Sequence, residues 1–266
     1  MNHPIESRDE LLLQQRDADG VVTLTLNDPR SFNALSEEML TALDGAFAAI
    51  AEDDAVRCVV LAANGKAFCA GHDLKQMRAT PEKDYYQQLF ARCSRVMQAI
   101  NDLPVPVIAQ VQGIATAAGC QLVASCDLAV AASSARFAVS GINVGLFCST
   151  PAVALSRNIV RKRAMEMLMT GEFIDAEQAL DWGLVNRVAE DERLTQTVAE
   201  LTDSICAKSA VAVRTGKAMF ARQLAMPLTD AYAFAGETMA CNMMSEDTAE
   251  GIDAFMAKRK PVWRHR

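Results

Sequence analysis

Histidine is the scarcest of the chemically useful residues here, with three copies in 266 residues. Two of them, His3 and His265, lie at the chain ends. The eight cysteines (58, 69, 93, 120, 126, 148, 206 and 241) include no CxxC pair and no metal-like spacing with histidine. No metal site is therefore expected. They read instead as reduced, mostly buried thiols of a cytoplasmic protein. Positive charge is also short: 26 Lys and Arg stand against 33 Asp and Glu, a net of −7. Such a chain lacks the global field of a nucleic-acid binder. Small phosphorylated ligands remain open, because they need only a local basic cluster. No run approaches about 18 apolar residues, so no membrane span is expected. The opening MNHPIESRDELL has neither a basic–apolar signal pattern nor an Arg-rich transit pattern. Glycine and proline, 13 and 8 copies, are too few for a low-complexity chain. Neither GxGxxG nor GxxxxGK[ST] occurs, which argues against nucleotide-binding folds and against nicotinamide or flavin chemistry.

What is present is a chain 51% hydrophobic and 22% charged, enough for one large domain with its own core. Residues 11–15 and 21–26 read as strands around the turn Asp17-Ala18-Asp19-Gly20. Ser36 reads as the N-cap of an amphipathic helix over 36–52. Strands are expected at Val56–Leu61, Val107–Val111, Asp127–Ala132, Phe137–Val139 and Leu184–Val188. Between the first two lie a loop, Ala63 to Lys75, and one helix running to about Asn101. A small-residue helix opens at Ala117, and a long loop spans Ser140 to Pro151. Helices are expected at 152–160, 162–169 and 176–182. Beyond Asp191 the pattern is helical, with breaks near Ser209, Pro227 and Ser245. The whole predicts an α/β core of mostly parallel sheet with a C-terminal helical subdomain.

Two segments share one design: Lys66-Ala67-Phe68-Cys69-Ala70-Gly71-His72-Asp73-Leu74 and Gly113-Ile114-Ala115-Thr116-Ala117-Ala118-Gly119-Cys120-Gln121-Leu122. Each follows a strand and sets small residues before a helix. Small residues allow close backbone approach, so two such loops could aim two N–H donors at one oxygen. Packing alone would also explain them.

These segments resemble the crotonase, or enoyl-CoA hydratase/isomerase, superfamily. Arg30-Ser31-Phe32-Asn33-Ala34-Leu35 is similar to its first signature. Phe68 to Leu74 is similar to its first oxyanion loop, and Pro106 to Ala109 with Gly113 to Asp127 to its second. Leu168 to Gly171, Trp182 to Val185 and Glu250 to Pro261 match later helices. The resemblance covers nearly the whole chain. It implies a spiral of ββα units over residues 1–190 and a helical trimerisation subdomain over 191–266, as a homotrimer or a dimer of trimers. It implies an acyl-CoA thioester as ligand, no cofactor, and lyase or isomerase chemistry of fatty acid metabolism. The backbone N–H groups of His72 and Ala118 would hold the thioester oxygen. Arg30, Ala70, His72, Asp73, Leu74 and Lys75 would lie along the CoA. Lys258 and Lys260 could reach it from the terminal helix, although Lys258, Arg259 and Lys260 also read as solvated surface charge.

Hydratases of this superfamily use two glutamates. Here Gln121 stands at the first position and Gly141 at the second. A glutamine amide can hold a water or an acyl group but does not titrate usefully, and glycine can do neither. General acid–base work is worth about 10²–10⁴-fold per group, so efficient hydration is not expected. The Gly-Cys-Gln-Leu and Val-Gly-Leu-Phe-Cys-Ser segments resemble a divergent mitochondrial hydratase-like branch. Restoring glutamate at both positions should raise hydration if the missing acids are the sole defect. His72 is the one internal imidazole, and in this superfamily its position contributes backbone. Ser140 and Cys148 are acyl-pocket candidates. Their plainer readings are a loop-capping hydroxyl and a buried thiol, and Cys120 also reads as a buried thiol. Asp127 reads as structural. Glu82, Asp84, Tyr85 and Tyr86 are outsiders, read as exposed helix residues. Three readings follow: an acyl-CoA enzyme, a non-catalytic acyl-CoA binder, or an interaction protein that keeps only the trimer. Intact oxyanion loops weigh against the third.

Overall fold

The computed structural model describes residues 10–265. Two sheets share the core. The larger has six strands: β1 (Leu12–Arg16), β2 (Val21–Leu26), β3 (Cys58–Ala63), β5 (Val107–Val111), β7 (Leu128–Ala132) and β10 (Arg187–Ala189), side by side in that order. Only β1 and β2 are antiparallel; every other neighbour is parallel. The β1–β2 turn is the one expected from Asp17–Gly20. The Asp17 carboxylate accepts from the amides of Asp19 and Val21, and Gly20 takes φ +82°. The smaller sheet has four short strands: β4 (Ala67–Cys69), β6 (Ile114–Thr116), β8 (Arg136–Ala138) and β9 (Ile174–Asp175).

The chain visits the sheets alternately. Three times a strand of the large sheet leads to a strand of the small one and then to helix. First β3 and β4 lead to α2 (Leu74–Ala79) and α3 (Lys83–Asp102). Next β5 and β6 lead to α4 (Ala118–Ser125). Last, β7 and β8 lead through a 3-10 turn to α5 (Ser149–Asn158). This is the α/β spiral expected. Central strands are buried on both faces, with Leu61, Val59, Ile108 and Val130 wholly enclosed, as parallel sheets require. Near the start α1 (Glu37–Ala51) packs on α3, and its N-cap Ser36 accepts from the Met39 amide. Such a cap is worth about 1 kcal/mol.

The remaining helices are α6 (Arg161–Thr170), α7 (Ala176–Trp182), α8 (Leu194–Cys206), α9 (Ala210–Gln223), α10 (Leu228–Met243) and α11 (Glu246–Met256). The breaks fall where Ser209, Pro227 and Ser245 predict them. Helix α8 packs on β3, β5, β7 and β10. Beyond it, α9 to α11 leave Phe220, Leu224, Leu228, Tyr232 and Phe255 largely exposed. No described helix is long and apolar enough to cross a membrane.

Several expectations shift. The single helix to Asn101 is two helices, because Pro81 disfavours helical backbone at Thr80. The long loop after Ser140 contains a 3-10 turn, Ser140–Val144, and α5 already begins at Ser149. The late strand starts at Arg187, since Gly183 at φ +84° first closes α7.

Candidate functional site

The first loop follows β4. Gly71 takes φ +89°, a conformation open to glycine and costly for other residues. The segment around Arg30 lies alongside: Ala70 N–H donates to the Phe32 carbonyl at 3.0 Å, and Leu35 N–H to the Gly71 carbonyl at 2.7 Å. Asn33 fastens this pair of segments from inside. It is wholly buried at φ +53°, which asparagine tolerates better than most residues. Its Nδ2 donates to the carbonyls of Asn64 and Ala67, each at 2.8 Å, and its Oδ1 accepts from Asp28 N–H. Gln112 donates to the same Ala67 carbonyl. Sequence reasoning used Asn33 only as part of a signature; a polar residue among apolar ones was the signal for its clamp.

The second loop follows β6 and crosses the first. A Cβ at Gly119 would collide with the Cys69 carbonyl, so the crossing requires glycine there. A Cβ at Gly71 would stand 3.0 Å from the Ala118 nitrogen. The backbones of the two expected oxyanion loops thus meet at Gly71 and Ala118. The positive φ falls one residue earlier than Ala118, at Ala117, with φ +50° and ψ −120°. A non-glycine residue there costs about 1–3 kcal/mol. This torsion sets the direction of the Ala118 N–H. None of the loops' backbone hydrogen bonds engages the amide of His72 or of Ala118.

Two side chains beside these amides are short of partners. Gln121 is buried, one turn into α4, and its Oε1 has no hydrogen-bond partner among the described residues. Neither ring nitrogen of His72 has one at hydrogen-bond geometry. Burial pushes the His72 imidazole toward its neutral form, against a weaker pull from the Leu35 backbone. Its ring meets Phe90 edge-on at 5.4 Å, and Phe90 stacks on Tyr86. Tyr85 and Tyr86 are therefore not exposed helix residues. Both are half-buried; Tyr85 donates to Glu37 and Tyr86 to the Met77 carbonyl. Glu82 and Asp84 are exposed.

At Gly141, where the resemblance places a second glutamate, the space for a side chain is already occupied. A Cβ at Gly141 would lie 2.6 Å from the Leu146 carbonyl oxygen and 2.7 Å from Cys148 Sγ. The Cys148 sulfur fills the space that a side chain at 141 would enter. Restoring glutamate there would therefore require the Cys148 side chain and the turn to move. Burial pushes the Cys148 thiol up, and the Cys120 thiol up to about 12, so neither is a ready thiolate. Ser140 Oγ pairs with Thr116 Oγ1 at 2.8 Å, tying the 3-10 turn to the end of β6.

The basic candidates divide. Arg30 and Lys75 are exposed beside the first loop, with Leu74, while Asp73 caps α2 by accepting from the Lys75 and Gln76 amides. Lys258 and Lys260 are exposed on the tail after α11. The hydrogen bonds of that tail include partners at Glu250, Asp247, Ala207, Ala210 and Arg57, and none runs to the two loops. Within one chain, the structure does not bring these lysines to the site. Asp127 holds the Val107 amide and Lys217 Nζ, each at 2.7 Å, a structural pairing.

Comparison with known proteins follows the same lines. An enoyl-CoA hydratase structure from Mycobacterium smegmatis superposes with a TM-score of 0.95 at 63% identity, over 96% of this chain and 99% of that one. The human enoyl-CoA hydratase domain-containing protein 3 structure gives 0.92 at 44%, over 96% and 100%. The rat mitochondrial protein of that name is 46% identical over 254 residues, 96% of this chain and 85% of its own length. The short-chain-enoyl-CoA hydratase of Clostridium acetobutylicum is 33% identical over 247 residues, covering 90% of this chain and 92% of that one. The family model described as enoyl-CoA hydratase/isomerase matches residues 16–266, and the chain belongs to that family.

Proposed function

We propose that the chain binds an acyl-CoA thioester and polarises its carbonyl between the N–H groups of His72 and Ala118. The observation that carries this is the meeting of the two loops at Gly71 and Ala118 with both amides unengaged. Two donors converging on one oxygen stabilise the charge that develops there when the thioester enolises, commonly by several kcal/mol. Arg30 and Lys75 stand beside the first loop to meet CoA phosphates, with Ala70, Asp73 and Leu74 along the same edge. Gln121 Oε1 offers an acceptor to a water or to the acyl group. No cofactor is needed, since the carbonyl is activated by backbone donors.

The reading does not include fast hydration. With Gln121 and Gly141 in place of carboxylates, the titratable side chain next to the amides is the His72 imidazole, which burial holds toward its neutral form. The packing of Cys148 against Gly141 favours the second reading, a non-catalytic acyl-CoA binder.

The chain is further proposed to assemble as a trimer or a dimer of trimers through residues 191–266, with residues 1–190 as the spiral core. Exposed Phe220, Leu224, Tyr232 and Phe255 support this, because apolar patches of that extent mark interfaces. In such an assembly a neighbour's Lys258 or Lys260 could reach the site that its own chain does not. Eight unbridged cysteines fit a reducing compartment such as the cytoplasm.

The test is crotonyl-CoA hydration on purified protein, with thioester binding by calorimetry in the same buffer. Binding with little turnover is expected. Turnover near that of an ordinary hydratase would overturn the argument from Gln121 and Gly141. Absence of any thioester binding would overturn the assignment itself.

A further inference from the structure

In the acyl-CoA reading, the donor from the first loop is the N–H of the peptide that joins Gly71 to His72. Gly71, at φ +89°, has no Cβ to restrict that peptide from its own side. The carbonyl end is pinned from outside: the Leu35 amide donates to the Gly71 oxygen at 2.7 Å, within an isolated parallel bridge between Leu35 and His72. The N–H and C=O of a trans peptide point in opposite directions, so this bond sends the His72 N–H away from Leu35. What steadies the nitrogen end is residue 72 itself.

The His72 side chain has two supports. One is the Leu35 backbone, which favours the protonated ring as a carbonyl acceptor does. The other is Phe90, which meets the ring edge-on at 5.4 Å. Phe90 stacks on Tyr86 at 6.3 Å, and the Tyr86 hydroxyl donates to the Met77 carbonyl at 2.9 Å. Met77 belongs to α2, which Asp73 caps, so the contacts lead from the ring of residue 72 back to residue 73. Both ring nitrogens are enclosed, so the imidazole is not placed to touch a ligand. A phenyl ring would fill the space against Phe90 without enclosing two polar atoms, so packing alone does not ask for histidine.

We propose that His72 serves the site through its side chain as a positioning residue: the imidazole, braced by Phe90 and drawn to the Leu35 backbone, fixes the angle at which the residue 72 amide meets the thioester oxygen. This rests on the acyl-CoA reading and adds to it a role for a side chain that touches neither substrate nor water. A donor worth most when it is held in place before the ligand arrives needs such a brace, since an amide that swings loses its alignment with the oxygen.

The test is infrared difference spectroscopy of butyryl-CoA, labelled with carbon-13 at the thioester carbonyl and bound to the full-length protein. The saturated acyl group keeps hydration out of the signal. In the wild type the bound carbonyl band is expected below its position in free solution, because converging donors weaken the C=O bond. His72→Phe keeps a ring against Phe90 and removes the ring nitrogens. Phe90→Ala removes the brace. In both variants the bound band should return most of the way to the free position, while Phe90→Ala keeps the wild-type affinity for free CoA in calorimetry. A merely structural role would lower the melting temperature and leave the bound band where it is. A shifted wild-type band that His72→Phe leaves in place would overturn this proposal alone, and so would loss of CoA affinity in Phe90→Ala, which would mark a collapsed loop. If His72→Phe does not fold, the band in Phe90→Ala decides in the same way. A wild-type band at the free position, or no binding at all, would overturn the thioester reading and this inference with it.

Discussion

Gly141→Ala is the smallest perturbation that tests whether the turn at position 141 has room for a side chain. The new Cβ would stand 2.6 Å from the Leu146 carbonyl oxygen and 2.7 Å from Cys148 Sγ. The sulfur is the free end of a side chain and can rotate away. The carbonyl belongs to backbone that is fixed by the Leu146 N–H bond to the Gly141 carbonyl, 3.0 Å. Overpacking of this kind costs about 1–3 kcal/mol. For a domain of this size that lowers the melting temperature by roughly 2–10 °C. Cys148→Ala in the same chain removes one of the two collisions, so the double variant should recover part of the loss, and the cycle gives the coupling. Thermal denaturation reads the stability and crotonyl-CoA hydration reads the function. Gln121→Glu with Gly141→Glu should gain little crotonyl-CoA hydration over wild type, because a longer side chain at 141 starts from the same blocked Cβ. A melting temperature for Gly141→Ala within about 1 °C of wild type would refute the reasoning, since it would mean the turn yields freely.

Three further outcomes are expected. Asn33→Ala removes three buried hydrogen bonds and should destabilise by about 3 kcal/mol, read by urea denaturation. Ala117→Gly relieves the φ +50° torsion and should stabilise by about 1 kcal/mol in thermal melts, after the added freedom of the unfolded glycine is offset. The Arg259 guanidinium, then the Val262 amide, hold the Glu250 carboxyl at about 2, below its ordinary 4.5. Its contribution to stability is therefore present above the unfolded value and lost as pH falls from 4.5 toward about 2; acid titration of Glu250→Gln should show a shallower decline over that window.

The helices and long strands could be read from the sequence because their signals are local. Strands β2 and β5 and helix α7 begin and end where alternation, proline and capping residues place them. Strands β4, β6 and β9 could not be read this way. They are two or three residues long, and pairing across the small sheet defines them rather than any pattern of their own. The site divides in the same manner. Gly71 and Gly119 could be picked out because small residues before a helix allow close backbone approach and because their segments resemble the superfamily's two oxyanion loops. The clamp by Asn33 links residues 31 and 34 positions apart, and the Cys148 sulfur packs against a glycine in the preceding turn. The first contact arises only when distant segments pack, and the second only when the 3-10 turn between β8 and α5 folds back on itself. A positive φ shows the limit at single-residue scale: nothing in the residue type marks Ala117 for it, and the backbone carries it there.

The loops bear several unfavourable features that packing alone does not explain. Ala117 sits in a torsion worth about 1–3 kcal/mol where glycine would be free of it. Among the described residues two amides are unengaged, and the Gln121 acceptor is buried without a partner. A buried polar group without a partner costs about 1–3 kcal/mol. A chain that served only to hold an oligomer together would lose nothing by leucine at 121 or glycine at 117. These unmet groups have opposite needs, donors on the backbone and an acceptor on Gln121, and they flank one crossing point. A thioester carbonyl meets the first need, and a water or polar acyl atom meets the second. Ligand binding would satisfy them together, whereas assembly through α9 to α11 would leave every one of them as it is. This contrast favours the two acyl-CoA readings over a purely structural role, and it holds whether or not the bound thioester is turned over.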